Sequence, residues 1–180
     1  REVPTQEKEI TYICGMAVLT VTIKEELTLN GSNRGSENIT SIASVTQSFN
    51  RIVTLPANGG SGTTQTTVAV FKDTVDTDIR TGINGAIDDG DAKYIRVTNL
   101  DADNSVTLSL QIAADGTNAA GDSASILLAP GKSFILGGSA DAIAVDDDAA
   151  TPITTLVHLE SILAVNATND TTQLEVFIAS

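Results

Sequence analysis

Three acidic clusters are the first places to look for chemistry in this chain. Asp88-Asp89-Gly90-Asp91, Asp101-Ala102-Asp103-Asn104 and Asp146-Asp147-Asp148 each set hard oxygen donors close together between apolar runs. Such donors suit Ca²⁺, although none follows the EF-hand spacing with its mid-loop Gly and terminal Glu. Asp101, Asp103 and Asn104 form the leading ligand set, and Ca²⁺ is the one cofactor the chain gives a reason to expect. The plainer reading of all three clusters is solvated surface.

The other reactive groups are isolated. His158 is the only histidine. A Ser-His-Asp triad would need it as the base, and no nucleophile elbow accompanies it. Cys14 is the only cysteine, so no internal disulfide forms and a closed zinc site lacks ligands. Gly131-Lys132-Ser133 imitates the end of a phosphate loop, but Ile126 stands where that loop needs its first Gly. Paired carboxylates for glycoside hydrolysis lack the aromatic platforms that hold sugars, because aromatic residues are 3% of the chain and Trp is missing. The expectation is a protein that is not an enzyme.

Charge restricts the partners. The chain of 180 residues carries a formal net charge of -13. Every Lys and Arg lies at or before Lys132, leaving Asp141, Asp146, Asp147, Asp148, Glu160, Asp170 and Glu175 uncompensated beyond it. A phosphate backbone is repelled by such a surface, so no nucleic-acid partner is expected. The excess keeps the protein soluble and is tolerated best in salty water, where charges are screened. No apolar run has the length of a membrane helix, and residues 1–9 lack the cationic start of a signal peptide, so no membrane partner is expected either.

The elements that would position these groups are strands. Val, Ile and Thr alternate with polar residues, and turn chemistry recurs at short intervals. Strands are expected at 18–23, 26–29, 38–44, 48–55, 66–72, 94–99, 105–113, 124–128, 133–136, 142–145, 155–165 and 173–179, with short helices as alternatives at 74–86 and 156–164. Asn30-Gly31 and Asp115-Gly116 mark turns, and Ala129-Pro130-Gly131 has the Pro-Gly of a type II turn. Residues 93–136 read as two successive hairpins. The whole is an all-β, antiparallel β-sandwich, jelly-roll-like, in one domain over 16–180, with a long inter-sheet loop near 56–65.

Alternation places Val97, Val106, Leu108, Leu110, Leu128, Ile135, Leu174, Val176 and Ile178 in one aliphatic core. Gln173, Glu175 and Phe177 then fall on the opposite face. An outward Phe177 needs a cover, from a neighbouring subunit or from the N-terminal arm. That arm is residues 1–15, ahead of the only Met, Met16. Its Ile10, Tyr12 and Ile13 have the pattern of a strand that must borrow another sheet's edge.

The run Tyr94-Ile95-Arg96-Val97-Thr98-Asn99-Leu100-Asp101, followed by Leu128-Ala129-Pro130-Gly131-Lys132-Ser133-Phe134-Ile135-Leu136, resembles small virion structural proteins of tailed bacteriophages of the marine and cyanobacterial type. Thr22-Ile23-Lys24-Glu25-Glu26-Leu27 and Gln47-Ser48-Phe49-Asn50-Arg51-Ile52-Val53 are similar in style. The resemblance implies a capsid decoration or cement subunit, made in the host cytoplasm and carried on the extracellular virion. It would be a homo-oligomer, with a trimer favoured, seated on a major capsid or tail protein. A tail- or fibre-associated module recognising a host glycan, with help from Ca²⁺, is the alternative.

Overall fold

The structure is a computed structural model that describes residues 17–58, 64–72, 87–88, 92–112, 122–137, 144–145, 157–166 and 168–180. Every element in these residues is a strand. The expected helix at 74–86 lies outside the described residues. Of the two readings of 155–165, the strand is the one that forms, as β13, Val157–Asn166, and not the alternative helix at 156–164. Its helix-like spacing of Leu159 and Ile162 comes from a β-bulge between Leu159 and Ser161, which turns both side chains inward.

Two main sheets hold most of the long strands. The first joins β10 (Asp122–Leu128), β9 (Val106–Ile112), β13 and β6 (Gln65–Lys72) in that order, all antiparallel. It is extended by β7 (Ile87–Asp88), parallel to β6, and by β12 (Ala144–Val145), paired with β13. The second runs β11 (Ser133–Gly137), β8 (Tyr94–Asn99), β14 (Thr172–Ala179), β5 (Ser48–Leu55), also antiparallel. Leu55, Ile95, Val97, Leu174 and Val176 of the second sheet pack with Val68, Leu108, Leu110, Leu159 and Ile162 of the first in one core. Aliphatic side chains thus supply nearly all of it, and their removal from water is the main driving force for the fold.

The expected pair of hairpins in 93–136 is not formed. β8 and β9 belong to different sheets, and so do β10 and β11. The turn itself is as expected: the Lys132 N–H donates to the Ala129 carbonyl at 3.1 Å, and Gly131 takes the positive φ of 64°. Yet the Lys132 carbonyl accepts from the Asn99 N–H, which continues the pairing of β11 with β8 and not with β10. The Pro-Gly turn therefore arches over the core, setting Leu128 and the partly buried Phe134 and Leu136 against the same cluster from opposite sheets. Local turn chemistry accommodates an arch as well as a hairpin, and distant strands decide which forms.

A second correction concerns Ile135. It pairs with Arg96 on the outer face and is 41% exposed, while Phe134 and Leu136 pack on the core. The other eight expected core residues are buried.

Ahead of these sheets stand β1 (Ala17–Lys24) and β4 (Glu37–Val45), paired antiparallel. Between them β2 (Thr28–Leu29) and β3 (Ser32–Asn33) close on Asn30 and Gly31, whose φ values of 52° and 76° fit a type I′ turn. The Glu25 N–H to Ser36 carbonyl and Arg34 N–H to Leu27 carbonyl bonds bridge the two pairs. The result is one continuous ribbon, about 40 Å long at ~3.3 Å per residue.

Candidate interaction surfaces

Loops gather at one end of the two sheets, and two buried asparagines organise them. Asn99, fully buried at the end of β8, donates through Nδ2 to the Asn104 carbonyl at 2.8 Å and the Leu128 carbonyl at 3.2 Å. Its Oδ1 accepts from the Asp101 N–H at 3.0 Å. Asn166 does the same work at the end of β13. Its Nδ2 donates to the Pro56 and Asp170 carbonyls, and its Oδ1 accepts from the Thr168 N–H and hydroxyl. Each amide satisfies buried groups that would otherwise be costly to leave unpaired.

Asp101, Asp103 and Asn104, the expected Ca²⁺ ligands, share the turn that Asn99 holds. Asp101 Oδ1 accepts the Asp103 N–H at 2.8 Å and the Asn104 N–H at 2.7 Å. These two bonds favour the ionised carboxyl and hold it below its ordinary 3.8. The carboxylate acts here as the cap of an Asx turn. No cluster of three or more His, Cys, Asp or Glu that could hold a metal occurs among the described residues.

Phe177 lies half-buried on the outer face of the β11–β8–β14–β5 sheet, edge-on to Tyr94 with ring centroids 6.0 Å apart. The base of the ribbon reaches over this place. Ile42 and Val45 are buried with Tyr94 and Ala179, and Leu19, Val21 and Phe177 pack around them. Burial pushes the Tyr94 hydroxyl above its usual 10.0, with Arg96 pulling the other way. Lys93, itself buried, donates from Nζ to the carbonyl of Ser44 at 2.7 Å and fastens the ribbon from the other side. Beyond Phe177 the same face carries the Arg96–Glu175 ion pair at 3.0 Å. Ile10, Tyr12 and Ile13, the other expected interface residues, lie outside the described residues. His158 pairs through its backbone with Ala144.

The ribbon exposes large apolar side chains along its length. Val18, Ile23, Leu27, Leu29 and Ile39 are between 48% and 62% exposed, and they outnumber those elsewhere among the described residues, which are Ile52, Leu100, Leu127 and Ile135. The strands and the Asn30-Gly31 turn are legible in the sequence, but this surface is not. Alternation such as Leu19, Val21, Ile23 reads as a core face until the register shows that only its base meets the body.

No protein-family model, curated protein or solved structure matches this chain. The geometry is therefore the basis for any functional reading.

Proposed function

We propose that this chain is a non-enzymatic structural subunit of a virion, a capsid decoration or cement protein that acts as a homo-oligomer, with a trimer favoured, on a major capsid or tail protein. In this reading the two main sheets are the halves of a jelly-roll sandwich. Their strand order supports it: counted in chain order from β5, and leaving out the two-residue strands, the eight strands run 1-8-3-6 in one sheet and 2-7-4-5 in the other. This is the winding of two interlocked Greek keys.

The exposed apolar ribbon carries the proposal. A two-stranded ribbon is marginal in water by itself, and this one leaves large apolar side chains in water on both of its faces, with Val18 and Ile39 on one and Ile23 on the other. A long two-stranded arm suits bridging to a neighbouring subunit, where strand edges and aliphatic side chains are covered together. Copy number in purified particles tests the reading. Quantitative mass spectrometry should find the chain at a stoichiometry matching the capsid shell. A handful of copies would favour the tail- or fibre-associated reading, and a chain absent from the particle would overturn both.

A further inference from the structure

Ile42 and Val45, near the end of β4, are both buried against the body beside Tyr94 and Ala179. Residues three apart on a regular strand face opposite sides, so the backbone between these two departs from a regular strand. The ladder locates the departure. Ala17 pairs with Val45 and Leu19 with Ile42, which leaves two residues of β4, Ala43 and Ser44, opposite the single Val18. This is a β-bulge, and Ser44 stands in it with a φ of 57°, in the left-handed region that residues other than glycine seldom take. Such a conformation costs free energy and persists only where the surroundings impose it.

The body imposes it here. Lys93, buried just ahead of β8, donates from Nζ to the Ser44 carbonyl at 2.7 Å, the one acceptor its ammonium meets among the described residues. Its own backbone is fixed: the Lys93 N–H donates to the Ala179 carbonyl at 2.9 Å, and Gly137 lies so close to the Lys93 carbonyl that a Cβ there would collide. Directly after the bulge the chain belongs to the body, because the Thr46 and Gln47 N–H groups donate to the Ser180 carbonyl and β5 begins at Ser48. The bulge therefore sits where ribbon and body join. We propose that Ser44 is the hinge of the ribbon and Lys93 the latch that sets its direction. A bulge bends its strand and adds twist, so the angle at which the ribbon leaves the body follows the conformation of Ser44. With the ammonium on its carbonyl, Ser44 stays left-handed. Without that bond it returns to extended backbone, Ile42 and Val45 no longer face the same side, and the ribbon swings. The latch works whatever the ribbon meets, and a direction set in advance lowers the ordering cost of meeting it.

Spin labels on the ribbon at Thr28→Cys and on the body at Thr54→Cys, both exposed positions, read the angle by double electron–electron resonance. The full chain carries Cys14→Ser so that only these two sites are labelled, and it is diluted with unlabelled chain so that only distances within one molecule count. The wild type should give one narrow distance distribution. Lys93→Met keeps the reach of the side chain and removes its donor, and it should shift or broaden that distribution. Amide exchange in β1 and β4 should quicken by about tenfold in the same variant, as loss of a bond to a charged group implies, with β9 and β13 unchanged. Ser44 is exposed, so its variants leave core packing alone. Ser44→Val, whose branched side chain resists the left-handed region, should shift the distribution as Lys93→Met does. Ser44→Gly takes that region without steric cost and should keep the mean distance. If Lys93→Met strips protection from β9 and β13 as well, the body has unfolded and Ser44→Val decides alone. A distribution unchanged in Ser44→Val overturns the hinge, and one unchanged in a folded Lys93→Met overturns the latch. A wild-type distribution that is already broad overturns both, as does a Ser44→Gly mean that moves as far as that of Ser44→Val.

Discussion

At the scale of single residues, the two buried asparagines do more for the loop end than any acidic group. Replacing Asn99 with Ala removes one acceptor and two donors from a fully buried place, and each orphaned group costs about 1–3 kcal/mol. Urea unfolding of Asn99→Ala should show a loss in at least that range; a loss near zero would mean that water replaces all three bonds. Asp101 acts through charge. Its carboxyl is held below 3.8 by two backbone N–H groups, so the folded state binds this proton less readily than the unfolded chain. The stability it contributes is fully present above that value and is lost as pH falls through the folded value. Asp101→Asn keeps an acceptor but does not titrate. The difference in urea midpoint between wild type and Asp101→Asn should therefore change between pH 5 and pH 2.5, and a constant difference would sink the argument. Neither asparagine stood out in the sequence, where an Asn after a strand looks like ordinary turn chemistry. The second half of Asn99's work, its bond to the Leu128 carbonyl, joins residues 29 positions apart.

At the scale of elements, what is legible in the chain is local and what is hidden is pairing. The strands at Ser48–Leu55 and Tyr94–Asn99 have the boundaries that alternation and turn residues predict. Their partners do not follow from such signals. β8 pairs with β11 and β14 rather than with β9, because each sheet must present an apolar face to the other, and adjacent strands linked by an arch provide one face each. Three apolar residues in a row, Phe134, Ile135 and Leu136, leave the phase of β11 ambiguous in sequence, and the ladder to β8 resolves it. Leu110→Ala should cost about 2–5 kcal/mol, as a buried Leu in a packed core does. Ile135→Ala should stay within about 0.5 kcal/mol in the isolated subunit. Equal losses at the two positions would reverse the register of β11. The ribbon meets the body at its base, through Ile42, Val45 and Lys93. Ile42→Ala should strip hydrogen-exchange protection from β1 and β4 while leaving β9 and β13 protected, since local opening can occur below the global unfolding energy. Loss of protection in all four strands together would mean that ribbon and body fold as one.

At the scale of the whole molecule, charge and apolar surface oppose each other. The net charge of -13 drives copies apart, and in the proposed homo-oligomer the exposed apolar side chains of the ribbon are what draw them together. In the proposed homo-oligomer, assembly depends on where the attraction is placed, and the proposal gives the segment ahead of the ribbon a share of it. Residues 1–15 carry Ile10, Tyr12 and Ile13 immediately before β1. The first ladder pair, Ala17 with Val45, lies at the ribbon's base beside the Tyr94 and Phe177 rings. Every ladder among the described residues is formed without residues 1–15, and the truncated protein should keep its β-sheet circular dichroism and its urea midpoint. Its assembly should weaken, because a segment that joins a neighbour's sheet edge contributes main-chain hydrogen bonds and apolar burial across the boundary. The deficit should be largest at low ionic strength, where the screening length is roughly 30 Å at 0.01 M and the acidic bodies repel one another over their full separation, and smallest near 1 M, where it is about 3 Å. Light scattering of wild type and truncated chain across that range measures it. Equal assembly at every salt concentration would place all the attraction in the ribbon and the sheet faces and none in the arm.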